Sequence, residues 1–242
     1  MAQSFFIFKG IDCRSMGIIL RGPAPIIRPE ERVKHVEIPG RSGDVTETEG
    51  ENIFNSYIQT VSMSVRGGYN VREVYKWLRG EGFVTFSGEP DRKQAARVIG
   101  AITLNRISRN MDHWAGECQF YCQPLKQKLT EEKVTVISYG ATVRNNGDVT
   151  CKPMWKVMPD SGQYTIVLTA GGKTITVADL PAVNPQVPIY IDSETMEVWN
   201  NTKTSLLTSL SSGDFPVLNP GANTVTGSGW ANVEIEKRER YL

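Results

Sequence analysis

Ile38-Pro39-Gly40-Arg41-Ser42-Gly43-Asp44 packs five turn formers between a segment that reads as a strand, Val33 to Ile38, and an acidic one, Asp44 to Glu51. Proline presets φ and glycine supplies positive φ, so such a cluster reverses the chain. Two later stretches have the same chemistry: Asn145-Asn146-Gly147-Asp148, and the run from Gly213-Asp214-Phe215-Pro216 to Pro220-Gly221-Ala222-Asn223. None of the three holds a catalytic constellation. Short apolar runs punctuated by turn formers point to a protein built mainly of β-strands.

Upstream of the first turn, Phe6, Phe8 and Met16–Leu20 read as short strands, with a Gly22-Pro23 turn. Downstream, Tyr57 to Val65 alternates, with Val61, Met63 and Val65 on one face and Ser62 and Ser64 on the other. That period of two marks a half-buried strand. One helix follows: Asn70 is the expected N-cap, with Glu73 three residues on. Val71, Val74, Trp77 and Leu78 form its apolar stripe, and Gly80 sits where a helix ends. Phe83–Phe86 is the next strand. Ala95–Leu104 and Trp114–Tyr121 then read as two longer strands around Arg109–Asp112.

Lys126–Lys133 is a charged, polar junction and the expected linker, 126–133, between a first domain, 1–125, and a second, 134–242. Charge changes sign across it. Residues 1–128 hold 18 Lys+Arg against 14 Asp+Glu, and residues 129–242 hold 9 against 12. Beyond the junction strands are expected at Val134–Ile137, Met154–Val157, Tyr164–Leu168, Thr174–Val177, Val187–Ile191, Met196–Trp199 and Val233–Ile235. A short helical turn is expected at Ser205–Leu210. Asn146-Gly147, Gly171-Gly172 and Asp192-Ser193 are the hairpin or turn signals. Short strands at this spacing predict an antiparallel sandwich.

The whole chain of 242 residues has a net charge of only +1, against the strong basic excess of a general nucleic-acid binder. The opening segment lacks the pattern of a signal peptide, and no run approaches the ~18 apolar residues of a membrane span. Synthesis in a cytoplasm is therefore expected, with Cys13, Cys118, Cys122 and Cys151 as reduced thiols. Cys118 and Cys122 lie four apart on a strand, hence on one face, and read as small core residues.

Enzymatic chemistry has little to work with. His35 and His113 are the only histidines. Asp160-Ser161-Gly162 mimics the aspartic-protease tripeptide, but it joins two strands and has ordinary turn composition. Gly227-Ser228-Gly229-Trp230 is too short for a phosphate loop. Glu194 and Glu197 flank a turn in different strand phase. Trp199 and Trp230 are the candidate glycan contacts of the second domain, although aromatics in a sandwich mostly fill its core. No cofactor and no metal are expected.

The ordered set of signals resembles the distal tail protein family of siphophages and prophages. The resemblance spans nearly the whole chain: the N-terminal strand pair, Pro39–Asp44, the acidic Asp44–Glu51, the single helix, the exit at Cys122-Gln123-Pro124, then Asn146-Gly147 with Pro153, Met196–Trp199, Gly213–Pro216 and Pro220–Asn223. It implies a mainly β fold: a tail-tube-like, β-barrel-like N-terminal domain with one α-helix, followed by a galectin-like antiparallel β-sandwich. It also implies a non-enzymatic role in the phage tail tip, in a virion made in a bacterial cytoplasm. The chain would form a homohexamer, a ring joining the tail tube protein to the tail-tip hub protein and anchoring a receptor-binding protein. DNA would cross its bore in transit, with no membrane insertion. Asp44, Glu47, Glu49 and Glu51 are the candidate interface or bore residues. The alternatives are a carbohydrate-binding module with an accessory domain, and a tail-tube or other baseplate subunit.

Overall fold

The computed structural model describes residues 4–50, 52–107, 112–178, 180, 187–204 and 206–242. The chain forms two compact units, residues 1–129 together with Leu242, and residues 130–241. All the strand pairings in both are antiparallel.

The first unit holds β1 (Phe6–Phe8), β2 (Ile11–Asp12), β3 (Ile18–Leu20), β4 (Val33–Val36), β5 (Val45–Thr48), β6 (Tyr57–Val65), α1 (Val71–Trp77), β7 (Glu81–Phe86), β8 (Arg92–Ile99), β9 (Leu104–Arg106), β10 (Trp114–Cys122) and β11 (Lys126–Lys128). Its main sheet runs β2-β1-β7-β8-β10-β6-β3, with β9 on β10 and β11 on β8. The expected strand Ala95–Leu104 breaks near Gly100, whose φ of 69° suits only glycine well.

α1 begins as its sequence requires: the Asn70 side chain accepts from the backbone N–H of Arg72. Glu73 does not complete a capping box but pairs with Lys76 at 2.9 Å. The helix buries Val74 and Trp77 against the sheet, followed by Leu78. The Trp77 indole stacks on Phe6 at 5.6 Å, and its N–H donates to the Phe8 carbonyl at 3.1 Å. Phe120 meets Phe6 and Phe8 edge-on, each at 5.4 Å. Burying a phenylalanine contributes about 1.5–3 kcal/mol, so these four aromatic rings dominate the core. Cys118 and Cys122 point into the same core.

β4 and β5 pair only with each other, in register Val33↔Thr48 to Val36↔Val45. The acidic stretch is therefore not a loop throughout: Val45–Thr48 is a strand. The ribbon extends to its base, where Glu31 bridges Phe54 and the Asn55 N–H donates to the Glu30 carbonyl at 2.8 Å.

The second unit holds β12 (Lys133–Val136), β13 (Ala141–Asn145), β14 (Met154–Pro159), β15 (Ile166–Ala170), β16 (Lys173–Val177), β17 (Ile189–Asp192), β18 (Glu197–Trp199), β19 (Ser211–Gly213), β20 (Gly221–Ser228) and β21 (Trp230–Glu236). Two five-stranded sheets, β12-β21-β14-β17-β18 and β13-β20-β15-β16-β19, enclose one core. Trp155, Ile166, Leu168, Ile175, Ile191, Leu218 and Ile235 are its large, fully buried side chains. Gly171-Gly172 closes β15 onto β16 with both φ values positive, as a two-residue hairpin requires.

Two readings of the sequence change here. Asn146-Gly147 is not a hairpin turn, because β13 pairs with β20 and the chain then crosses to β14 in the other sheet. The start of the polar junction is not an open linker either. Lys126 is buried in β11 and its ammonium meets Glu89 at 2.6 Å.

Candidate assembly surfaces

The arm formed by β4, β5 and their connection is the region where sequence reasoning placed an interface. From Glu30 to Ile53 no described residue is buried. Cross-strand polar pairs hold the ribbon: Arg32 donates to the Asn55 side chain at 3.1 Å and faces Glu49 at 3.8 Å, and the His35 Nδ1 meets the Thr46 hydroxyl at 3.2 Å. Exposed pairs of this kind are worth 0–1 kcal/mol each. Asp44, Glu47 and Glu49 are all exposed on this arm. Glu51 lies outside the described residues. Ile38, at the turn, is 43% exposed.

The main sheet presents a second surface. Strands alternate faces, so the residues between the core positions of β6, β7, β8 and β10 point away from α1. One row runs Ile58, Tyr121, Arg97, Glu81 across four strands, and Phe83 sits beside Ala95 in the next. Ile58 is 50% exposed, Tyr121 42% and Phe83 46%. The Lys93 ammonium lies 5.2 Å from the Phe83 ring centre. Sequence reading missed this patch because its members are scattered over four strands; only register assembles them.

Of the two tryptophans named as glycan contacts, Trp230 presents no open ring. Trp230 is 2% exposed and its indole N–H donates to the Val167 carbonyl at 3.1 Å, while Tyr139 packs edge-on against it at 4.5 Å. It is a core residue, which corrects its assignment as a glycan contact. Trp199 is half-buried on the edge strand β18, opposite Tyr190, and its backbone bridges Leu206. The Lys203 ammonium covers the Tyr190 ring at 4.4 Å.

The residues screened for catalysis have structural surroundings. The Asp160 carboxylate caps its own turn by accepting from the Ser161 N–H at 2.8 Å. All four cysteines are free and buried. Burial pushes the Cys118, Cys122 and Cys151 thiols up to about 12 and raises Cys13 as well. At neutral pH they are protonated and poor nucleophiles. Among the described residues no group of three His, Cys, Asp or Glu side chains converges as a metal site does. No helix among them is long and apolar enough to cross a membrane.

The second unit carries a buried ionic clasp. Lys237 and Glu239 are 2% and 1% exposed and meet at 2.9 Å. Lys237 also meets Glu132 at 3.0 Å and donates to the Arg144 carbonyl at 2.8 Å. The Glu239 carboxylate accepts from the Asn146 N–H at 2.8 Å and from the Tyr241 hydroxyl at 2.7 Å. The Asp148 N–H donates to the Arg240 carbonyl. A Cβ on Gly147 would stand 2.5 Å from that oxygen. The Asn-Asn-Gly-Asp stretch is thus a socket for the segment Lys237–Tyr241.

Residues 146–241 match the family model of the siphovirus-type tail component, C-terminal domain. The chain resembles the siphovirus-type tail components. The match begins at the socket and ends at the segment that fills it. Among solved structures, the SPP1 Dit protein, described as a paradigm of the hub adsorption apparatus in phages infecting Gram-positive bacteria, is 17% identical. The alignment covers all of both chains with a TM-score of 0.79. A chain of the phage P2 baseplate in its activated conformation with Ca is 9% identical over 99% of both chains, with a TM-score of 0.50. A search of curated proteins found no match. The mainly β fold is similar to that of the SPP1 protein, and one α-helix is present among the described residues.

Proposed function

We propose that this chain is a non-enzymatic structural subunit of a siphovirus-type tail tip, acting as a homohexameric ring. The ring joins the tail tube protein to the tail-tip hub protein and anchors a receptor-binding protein, and DNA crosses its bore in transit. Its place is the virion, after synthesis in the bacterial cytoplasm. The observation that carries this reading is likeness over the full length of the SPP1 Dit protein, together with the family match over residues 146–241.

The first unit is the ring-forming part in this proposal, with Asp44, Glu47 and Glu49 at the interface or bore. An arm that buries nothing of its own suits a part completed by a neighbour. Head-to-tail contacts related by a closing rotation give a ring. The carbohydrate-binding alternative is weakened by the buried Trp230. The tube-subunit alternative leaves the second unit without a role.

Native mass spectrometry of the full chain over a concentration series, with imaging of the assembled tail tip, tests the proposal. Six copies around a bore is the expected result. A monomer or a trimer in the assembled tip, or the second unit facing the bore, overturns it.

A further inference from the structure

Asn146-Gly147 is the one Asn-Gly pair in the chain, and it lies in the socket of the second unit. Asparagine is a thermolabile residue. It is most so before glycine, which has no Cβ to shield the amide nitrogen that attacks the asparagine side chain. Here the backbone on both sides of Asn146 is held. The Gly147 N–H donates to the Asn145 side-chain oxygen at 2.8 Å. Asn145 is itself 1% exposed, and its amide donates to the Val149 carbonyl at 3.0 Å and the Leu218 carbonyl at 2.9 Å. The Asn146 N–H donates to Glu239 at 2.8 Å. Gly147 is buried against the Arg240 main chain: a Cβ there would stand 2.5 Å from its oxygen and 3.0 Å from its nitrogen. Asn146 is exposed, so water reaches its amide. Turning the Gly147 nitrogen onto that amide breaks the contacts with Asn145 and Arg240, and so requires Lys237–Tyr241 to leave the socket.

We propose that Asn146 is a deamidation site that the Lys237–Glu239 clasp keeps shut, and that its conversion holds the clasp open. With the segment out, the Gly147 nitrogen loses its proton to solvent base and attacks Asn146 Cγ. The N–Cγ bond forms, the Cγ–Nδ2 bond breaks, and ammonia leaves with a proton from water. Water then opens the succinimide. Cleavage at Cγ gives aspartate. Cleavage at the main-chain carbonyl gives isoaspartate, whose backbone runs through Cγ and is one carbon longer. Either product puts a carboxylate on the residue whose N–H the Glu239 carboxylate accepts, and like charges oppose each other. Isoaspartate also displaces Gly147 from a site packed to backbone contact, which has no slack to take up the extra carbon.

Peptide mapping by mass spectrometry on the full-length chain at mildly alkaline pH tests this, with the denaturant-unfolded chain as reference. Each folded variant is held the same distance below its own melting temperature. The folded chain is expected to convert at Asn146 roughly tenfold or more slowly than the unfolded one, because opening the socket costs free energy. Glu239→Gln and Lys237→Met each leave half the pair unmatched and are expected to speed conversion in the folded state severalfold. Leu168→Ala loosens the core from β15 while leaving the clasp contacts in place, and stays slow. Chain converted while unfolded and then refolded is expected to melt lower than before, whereas Asn146→Ala chain taken through the same cycle recovers its melt. Three results overturn the inference: a folded chain that converts as fast as the unfolded one, clasp variants no faster than Leu168→Ala, or a converted chain that regains its full melt.

Discussion

Pro39–Asp44 and Asn145–Asp148 look alike in sequence, and the structure uses them in opposite ways. Gly40 and Gly43 have positive φ and open space where a Cβ would go. Their turn joins two strands that touch little besides each other. Gly147 has backbone against its Cβ direction, and the residues around it receive a buried Lys–Glu pair. The first turn displays charge, the second buries it. Turn chemistry states that the chain reverses and is silent about what the reversal serves. That depends on residues far away in sequence, here Lys237 to Tyr241.

The contrast predicts very different sensitivities. The largest effect is expected at the clasp. Removing one member of a buried ion pair costs about 3–5 kcal/mol, so Glu239→Ala should lower unfolding stability by that amount in denaturant titration. A loss below about 1 kcal/mol, the value for an exposed pair, would mean the clasp is open to water. Next comes Gly147→Ala, where the added methyl meets the Arg240 carbonyl. A loss of about 1–3 kcal/mol is expected, as for overpacking.

A pH titration sharpens the same point. Burial pushes the Asp192 carboxyl up, but the Arg238 guanidinium and the Glu194 and Thr195 N–H groups outweigh it. Its value therefore falls below that of an unfolded chain. The resulting stability is full above the unfolded carboxylate range, ~4, and is lost as pH falls through the lower folded value. Asp192→Asn should flatten this acid limb. A wild-type and a variant curve of equal slope below pH ~4 would refute the assignment.

Periodicity made much of the fold legible. Val61, Met63 and Val65 fall on the buried face of β6, and the helix begins at Asn70 as its cap predicts. What escaped was structure set by partners rather than pattern. β20 reads as turn composition, Gly-Ala-Asn-Thr-Val-Thr-Gly-Ser, and is a strand because Asn223 and Val225 face the core between β13 and β15. β13 and β19 escaped for the same reason. Trp230 could be named only as a candidate glycan contact or a core residue, because burial is not written in a residue's type, and the structure makes it core. The acidic arm was visible as charge, while the exposed patch of the main sheet exists only once four strands lie in register.

The smallest stability effects are expected on the arm. Gly43→Ala keeps its space but must hold a φ of 82°, which costs an L-residue about 1–2 kcal/mol in a rigid element. A ribbon free of core contacts can relax around it, so a loss of 1 kcal/mol or less is expected. Glu47→Lys and Glu49→Lys reverse exposed charges and should change monomer stability by no more than ~0.5 kcal/mol. The melt has to be recorded at a concentration where the chain is monomeric, because association would add its own stabilisation by mass action. Under that condition the two regions separate cleanly: clasp variants move the melt, and arm variants move only association. If Glu47→Lys lowered the monomer melt as much as Gly147→Ala does, the arm would have to be packed against its own chain. The difference drawn between the two turns would then be lost.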